Sequence, residues 1–109
     1  MQNWYKVAEK QSIDKNGCKV VYFKRQEVVI FKYQECYFAL GNNCPHRKAP
    51  LSAGEIIDGV LTCPWHGARF DLATGKGLPG PHQAEIQSYH VKEQNGAVFL
   101  AVKEKGQGC

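Results

Sequence analysis

The sequence predicts an all-β fold, a sandwich or small barrel of about eight to ten short strands. Three observations predict it. Short runs rich in Val, Ile, Tyr and Phe recur along the chain, Gly-containing pairs separate them, and no window of about twelve residues carries helical periodicity.

Taken in order, residues 4–14 open ambiguously. They can hold a helical turn, but Trp4-Tyr5-Lys6-Val7-Ala8 reads equally well as an edge strand. Strands are then expected over 19–24, 27–33, 37–40, 56–57, 60–62, 84–91 and 97–103. Asn16-Gly17, Asp58-Gly59 and Asn95-Gly96 offer the positive φ angles that tight hairpins need. Cys36 falls in the apolar pattern Cys36-Tyr37-Phe38-Ala39-Leu40 and is expected in the core, as a small apolar residue.

With 109 residues the chain is expected to form one domain over 1–103, followed by a polar tail at 104–109. Hydrophobic residues make up 43% and charged ones 22%, the balance of a soluble globular protein. No apolar run approaches the ~20 residues of a membrane helix, and the N-terminus shows no apolar signal region, so a cytoplasmic protein is expected. The net charge of +4 is spread among acids rather than bunched, which argues against nucleic acid and suggests at most acidic partner surfaces. Five irregularly spaced cysteines make no disulfide framework and fit a reducing compartment.

The chemistry is concentrated in Cys44-Pro45-His46 and Cys63-Pro64-Trp65-His66. Each pair supplies one thiolate and one imidazole beside a proline that stiffens the chain. A [2Fe–2S] cluster in which two histidines replace two cysteines on one iron needs this donor set. Zinc is the competing reading, because Cys₂His₂ sets are tetrahedral-competent. Zinc sites more often begin with Cys-x₂₋₄-Cys, however, and here each half is mixed. Asp58-Gly59 lies between the two pairs and closes a hairpin that can bring them together.

The run Cys44-Pro45-His46-Arg47-Lys48-Ala49-Pro50-Leu51-Ser52-Ala53-Gly54, with Cys63-Pro64-Trp65-His66-Gly67-Ala68-Arg69-Phe70-Asp71-Leu72 and Thr74-Gly75, resembles the Rieske-type ferredoxins. The likeness spans nearly the whole chain. It implies stacked antiparallel sheets with the cluster-binding loops at one tip. It implies that Cys44 and Cys63 hold the inner iron and His46 and His66 the outer one, with the histidine rings as the exit for the electron. Leu78-Pro79-Gly80-Pro81 then matches the family's proline-rich third loop, read either as a flap over the cluster or as a plain rigid turn. Arg47, Lys48 and Arg69 are candidates for a basic docking rim, although isolated surface charges are usually just solvated. Of the two histidines outside the motifs, His90 lies in a strand pattern and is expected to be a surface or packing residue, while His82 could border the tip, though nothing requires it.

The chain departs from the Rieske proteins of cytochrome bc complexes in four places. Ala49 and Trp65 stand where those proteins carry a loop disulfide, so none is possible here. Ala68 and Phe70 stand where a Ser and a Tyr donate hydrogen bonds to sulfur. Without those donors the reduced cluster is less stabilised, and a potential near the roughly −150 mV end of the Rieske range is expected.

After Gly75 only 34 residues remain, too few for a mononuclear 2-His-1-carboxylate iron site, so no catalytic centre is expected. The resemblance implies an electron shuttle, a monomer when free, between an NAD(P)H-dependent flavoprotein reductase and a terminal oxygenase. The chain is also similar to the small subunit of assimilatory nitrite reductase, which implies a tightly held subunit instead. A redox-sensing binding module is a third reading.

Overall fold

The computed structural model describes residues 3–42, 51–63, 69–78 and 86–102. The chain runs through β1 (Tyr5–Glu9), α1 (Lys10–Asp14), β2 (Cys18–Phe23), β3 (Gln26–Tyr33) and β4 (Cys36–Gly41). A 3-10 turn at Leu51–Ala53 leads into β5 (Glu55–Ile57), β6 (Val60–Thr62) and β7 (Arg69–Asp71), and β8 (Ser88–Gln94) and β9 (Ala97–Val102) follow. All pairing is antiparallel, in a six-stranded sheet ordered β1-β9-β8-β4-β3-β2 and a three-stranded sheet β5-β6-β7.

The large sheet rolls toward closure. Its two edge strands approach through the Tyr5 and Phe23 rings, 5.7 Å apart, and Phe23 meets Tyr89 edge-on at 5.6 Å. Inside the roll lie Ala8, Val21, Phe23, Val28, Ile30, Ala39, Tyr89, Val98 and Leu100, with Ile13 of α1 closing one end. The alternate residues Val29, Phe31 and Leu40 face outward and are covered by Leu51, Leu61, Phe70 and Leu72 of the small sheet. Strand β3 is therefore buried on both faces, which is why Val28-Val29-Ile30-Phe31 reads as an unbroken apolar run rather than an alternation.

Both readings of the N-terminal stretch hold in succession. Tyr5–Glu9 is an edge strand on β9, and the next five residues turn helical. The helix is pinned by the Tyr37 hydroxyl, which donates to Asp14 Oδ1 at 2.7 Å, and by Lys32 Nζ at 3.4 Å. The Tyr37 hydrogen bond holds the Asp14 carboxyl below its ordinary range, while burial, helped by Asp14, pushes Tyr37 up to about 12.

Four expectations need correction. Asn16-Gly17 closes α1 rather than a hairpin: both amides donate to Ile13 O, and only Gly17 has positive φ. Cys36 is exposed, because it pairs with Tyr33 at the mouth of the β3–β4 turn, where the strand has only begun. The strand expected over 84–91 starts at Ser88 and runs on to Gln94 (residues 84–85 lie outside the described residues). Ile86 is drawn off by Gly75 O, which accepts its amide at 2.8 Å. Strand β7 has no counterpart in the sequence reading, since Arg69-Phe70-Asp71 is too short and charged to show as a strand.

The β2–β3, β3–β4, β5–β6 and β8–β9 hairpins turn through two residues that both have positive φ, the type I′ geometry that matches strand twist. Asp58-Gly59 and Asn95-Gly96 suit it. Lys24-Arg25 and Gln34-Glu35 adopt it at φ 51/68 and 50/67 with bulky side chains, at a cost of about 1 kcal/mol per residue. Replacing Gln34-Glu35 by Asn-Gly is expected to stabilise the protein by about 1 kcal/mol, raising Tm by several degrees on thermal unfolding. The same change at 24–25 should gain less, because Lys24 Nζ sits 4.6 Å over the Tyr5 ring and that cation–π contact would go.

Candidate metal centre

Three stretches of chain open from one end of the small sheet. Glu55, Thr62 and Arg69 are register neighbours across β5, β6 and β7 and define that end. The chain departs at Asn42 and returns at Leu51, where the Leu51 amide donates to Asn42 O at 2.6 Å. It departs again at Cys63 and returns at Arg69, beside Thr62. It departs a third time after Leu78, whose amide donates to Arg69 O at 2.9 Å, and returns at Ile86 against Gly75. A Cβ on Gly75 would strike Ile86 O, and its φ is +79°, so glycine is required at this crossing.

Of the four expected ligands Cys63 is described; Cys44, His46 and His66 lie outside the described residues, but on the first two of these stretches. The strand alternation of β6 explains where Cys63 goes. Leu61 and Cys63 turn to the covered face and Thr62 away from it, leaving Cys63 1% exposed among Leu61, Phe70 and Leu72. Phe70 is wholly buried beside it, and Arg69 is exposed at the rim, in keeping with a candidate docking residue. Ala49, Trp65, Ala68, Arg47, Lys48, His82 and the Pro79-Gly80-Pro81 turn lie outside the described residues.

Among the described residues, Cys18 and His90 have contacts of their own. Cys18 packs under the 3-10 turn with Sγ donating to Ser52 O at 3.9 Å, and burial pushes its thiol pKa up. His90 lies on β8 with its ring 6.4 Å from Trp4 and its Nε2 buried without a partner, a packing residue as expected. Among the described residues no group of three or more His, Cys, Asp or Glu side chains competes as a metal site.

Sequence reading missed one residue of the site frame. Asn42 is 3% exposed, and its backbone and side chain join β3 to the 3-10 turn. Its amide donates to Glu27 O at 2.9 Å, Nδ2 to Glu27 Oε1 at 3.0 Å, and Oδ1 accepts from Ser52 N at 2.9 Å. In sequence it sits in Gly41-Asn42-Asn43, which looks like any polar turn, and Glu27 lies too far upstream to give a local signal.

A β frame that opens two Cys/His-bearing stretches from one sheet end, with one thiol already turned into an apolar pocket, defines a metal-cluster domain. The donor set fits a mixed-ligand cluster: two thiolates and two imidazoles, with an apolar wall at Cys63 that limits water. The chain belongs to the Rieske [2Fe–2S] domain family, whose model matches residues 3–90, and its cofactor is a Rieske-type [2Fe–2S] cluster. It is 31% identical, over 94% of this chain and 98% of the relative, to the ferredoxin component of the naphthalene 1,2-dioxygenase/salicylate 5-hydroxylase systems of Ralstonia sp. It is 30% identical, over 91% of this chain and 95% of the relative, to the ferredoxin component of the 2,4-dinitrotoluene dioxygenase system of Burkholderia sp. (strain RASC). The solved ferredoxin of carbazole 1,9a-dioxygenase from Nocardioides aromaticivorans IC177 shares the fold, with a TM-score of 0.82 at 23% identity over 93% of this chain and 99% of that one.

Proposed function

We propose that this protein is a one-electron carrier of the ferredoxin type. It takes electrons from an NAD(P)H-dependent flavoprotein reductase and passes them to a terminal oxygenase. The observation that carries this reading is near end-to-end similarity to two ferredoxin components of dioxygenase systems.

Residues 1–103 form the working domain and 104–109 a polar tail. Cys44 and Cys63 hold the inner iron, and His46 and His66 the outer one. When bound, the cluster supplies a reversible one-electron couple. The chain's own part is to hold the ligands still. The small sheet is tied to the rolled sheet at its far end by the Gly59 amide, which donates to the Tyr33 hydroxyl at 3.0 Å, and at its near end by Asn42. A ligand frame pinned at both ends changes little between oxidation states, which keeps the reorganisation cost of transfer low. Cys63 lies on the buried side, so the histidine side is the natural exit. Arg69 is exposed at the end of the small sheet, beside Thr62, where it can steer an acidic partner through a small, transient interface.

We place it in the cytoplasm as a free monomer; no helix among the described residues is long and apolar enough to cross a membrane. The test is reconstitution with NADH, a flavoprotein reductase and a ring-hydroxylating oxygenase. Substrate oxidation is expected only when all three proteins are present. A protein that isolates solely in stoichiometric complex with a large reductase subunit, and carries no electrons when free, would overturn the shuttle in favour of the subunit reading.

A further inference from the structure

We propose that Glu27 and Asn42 are a positioning pair that sets the placement of the Cys44/His46 half of the cluster site relative to the Cys63/His66 half. The inference rests on the ligand reading above and adds residues that ligate nothing.

The eight residues between Asn42 and Leu51 carry two ligands, and Asn42 closes both ends of that stretch. On the outgoing side it is fixed to β3 by two hydrogen bonds, from its amide to Glu27 O and from Nδ2 to Glu27 Oε1. On the returning side its two oxygens accept the amides of Leu51 and Ser52. Asn42 thus engages both its amide donor and its carboxamide donor, and both its oxygens, at a residue 97% removed from solvent by its 3% exposure. Leaving any of these groups unpaired in such a place costs about 1–3 kcal/mol.

The clamp then passes directly to the second half-site. Two residues after Ser52, Gly54 lies so close to β6 that an added Cβ would stand 2.5 Å from Thr62 O and 3.1 Å from Leu51 O. Thr62 immediately precedes Cys63. A continuous path therefore runs Glu27, Asn42, Ser52, Gly54, Thr62, Cys63, built of hydrogen bonds and backbone contact with no exposed flexible side chain except at Glu27. The roles within the pair are separable. Asn42 needs an acceptor at position 27, and the charge of Glu27 is not required for that.

The test uses the cluster-loaded protein and follows release of iron to a chelator by the decay of visible absorbance, with amide hydrogen exchange at Leu51 and Ser52. Asn42→Ala and Glu27→Ala are expected to speed cluster loss by about 10- to 100-fold, the usual effect of removing a residue that orients metal ligands, and to deprotect both amides. Glu27→Gln keeps the acceptor and should behave as the native protein. Asn42→Asp alone sets two carboxylates against each other and should be among the worst variants. Asn42→Asp combined with Glu27→Gln restores the bond with its polarity reversed, because the Gln amide donates to one Asp oxygen while the other still accepts from Ser52. It should recover most of the native lifetime. A general loss of stability would also deprotect amides of β8 and β9, which are expected to stay as protected as in the native protein. Native-like cluster lifetimes in Glu27→Ala, or a double variant no better than Asn42→Asp, would overturn the proposal. A native protein that never takes up iron and sulfide would instead defeat the ligand reading on which it rests.

Discussion

Cys63→Ser protein is expected to be colourless, with iron near zero per chain, while the native protein carries a full cluster. Strand β6 turns Cys63 into a pocket of Leu61, Phe70 and Leu72, where it is 1% exposed. A cysteine thiolate is a strong iron ligand. A serine hydroxyl stays protonated at neutral pH and offers iron a far weaker donor. It also brings a polar group into an apolar wall at a cost of about 1–3 kcal/mol if unpaired. The small sheet should survive, because Gly59 and Asn42 pin it independently of position 63. Far-UV circular dichroism resembling the native protein, together with absent visible absorbance, is therefore the expected pair of results. Full cluster content in Cys63→Ser would remove Cys63 from the ligand set.

Phe70→Tyr is expected to raise the midpoint potential. Phe70 and Cys63 lie in the same buried cluster: Phe70 is the middle residue of β7, paired with Leu61, and Cys63 directly follows β6. In the high-potential relatives of the bc complexes the corresponding hydroxyl donates to sulfur, and here the ring ends in carbon. A hydrogen bond to a ligand sulfur favours the reduced, more negative state. About 1 kcal/mol of such preference corresponds to about 40 mV, given 59 mV per tenfold for a one-electron couple. The native midpoint should lie near −150 mV, and the variant should sit some tens of millivolts higher in a spectroelectrochemical titration. An unchanged or lower potential would show that the absent donor is not what sets the native value.

The rolled sheet was legible wherever one residue pattern dominated. Val28-Val29-Ile30-Phe31 is legible as part of a strand, and Asp58-Gly59 and Asn95-Gly96 are legible as hairpins from turn chemistry. Lys24-Arg25 and Gln34-Glu35 form the same turns without the usual residues, because pairing along β2, β3 and β4 outweighs the local strain. Cys36 misled because composition cannot tell the mouth of a hairpin from its middle. Strand β7 was invisible because its three residues include two charges, and only pairing with β6 makes them a strand.

At the site, the Cys/His pairs were legible because few chemistries place a thiolate and an imidazole so close together twice. The alternation that buries Cys63 could be read from Leu61 and Cys63 flanking Thr62. Asn42 and Glu27 were not legible, since their relation is a register fact. Val28 pairs with Gly41, and only that alignment brings residue 27 beside residue 42. The same register then explains why a polar side chain is tolerated in so dry a position.

Electron paramagnetic resonance of the dithionite-reduced protein, with iron and acid-labile sulfide assayed on the same sample, tests the central claim most directly. Two irons and two sulfides per chain are expected, with a rhombic signal averaging near g ~1.9, the value the Rieske resemblance implies for a cluster with both nitrogen and sulfur ligands. A colourless, signal-free protein that contains zinc would contradict it.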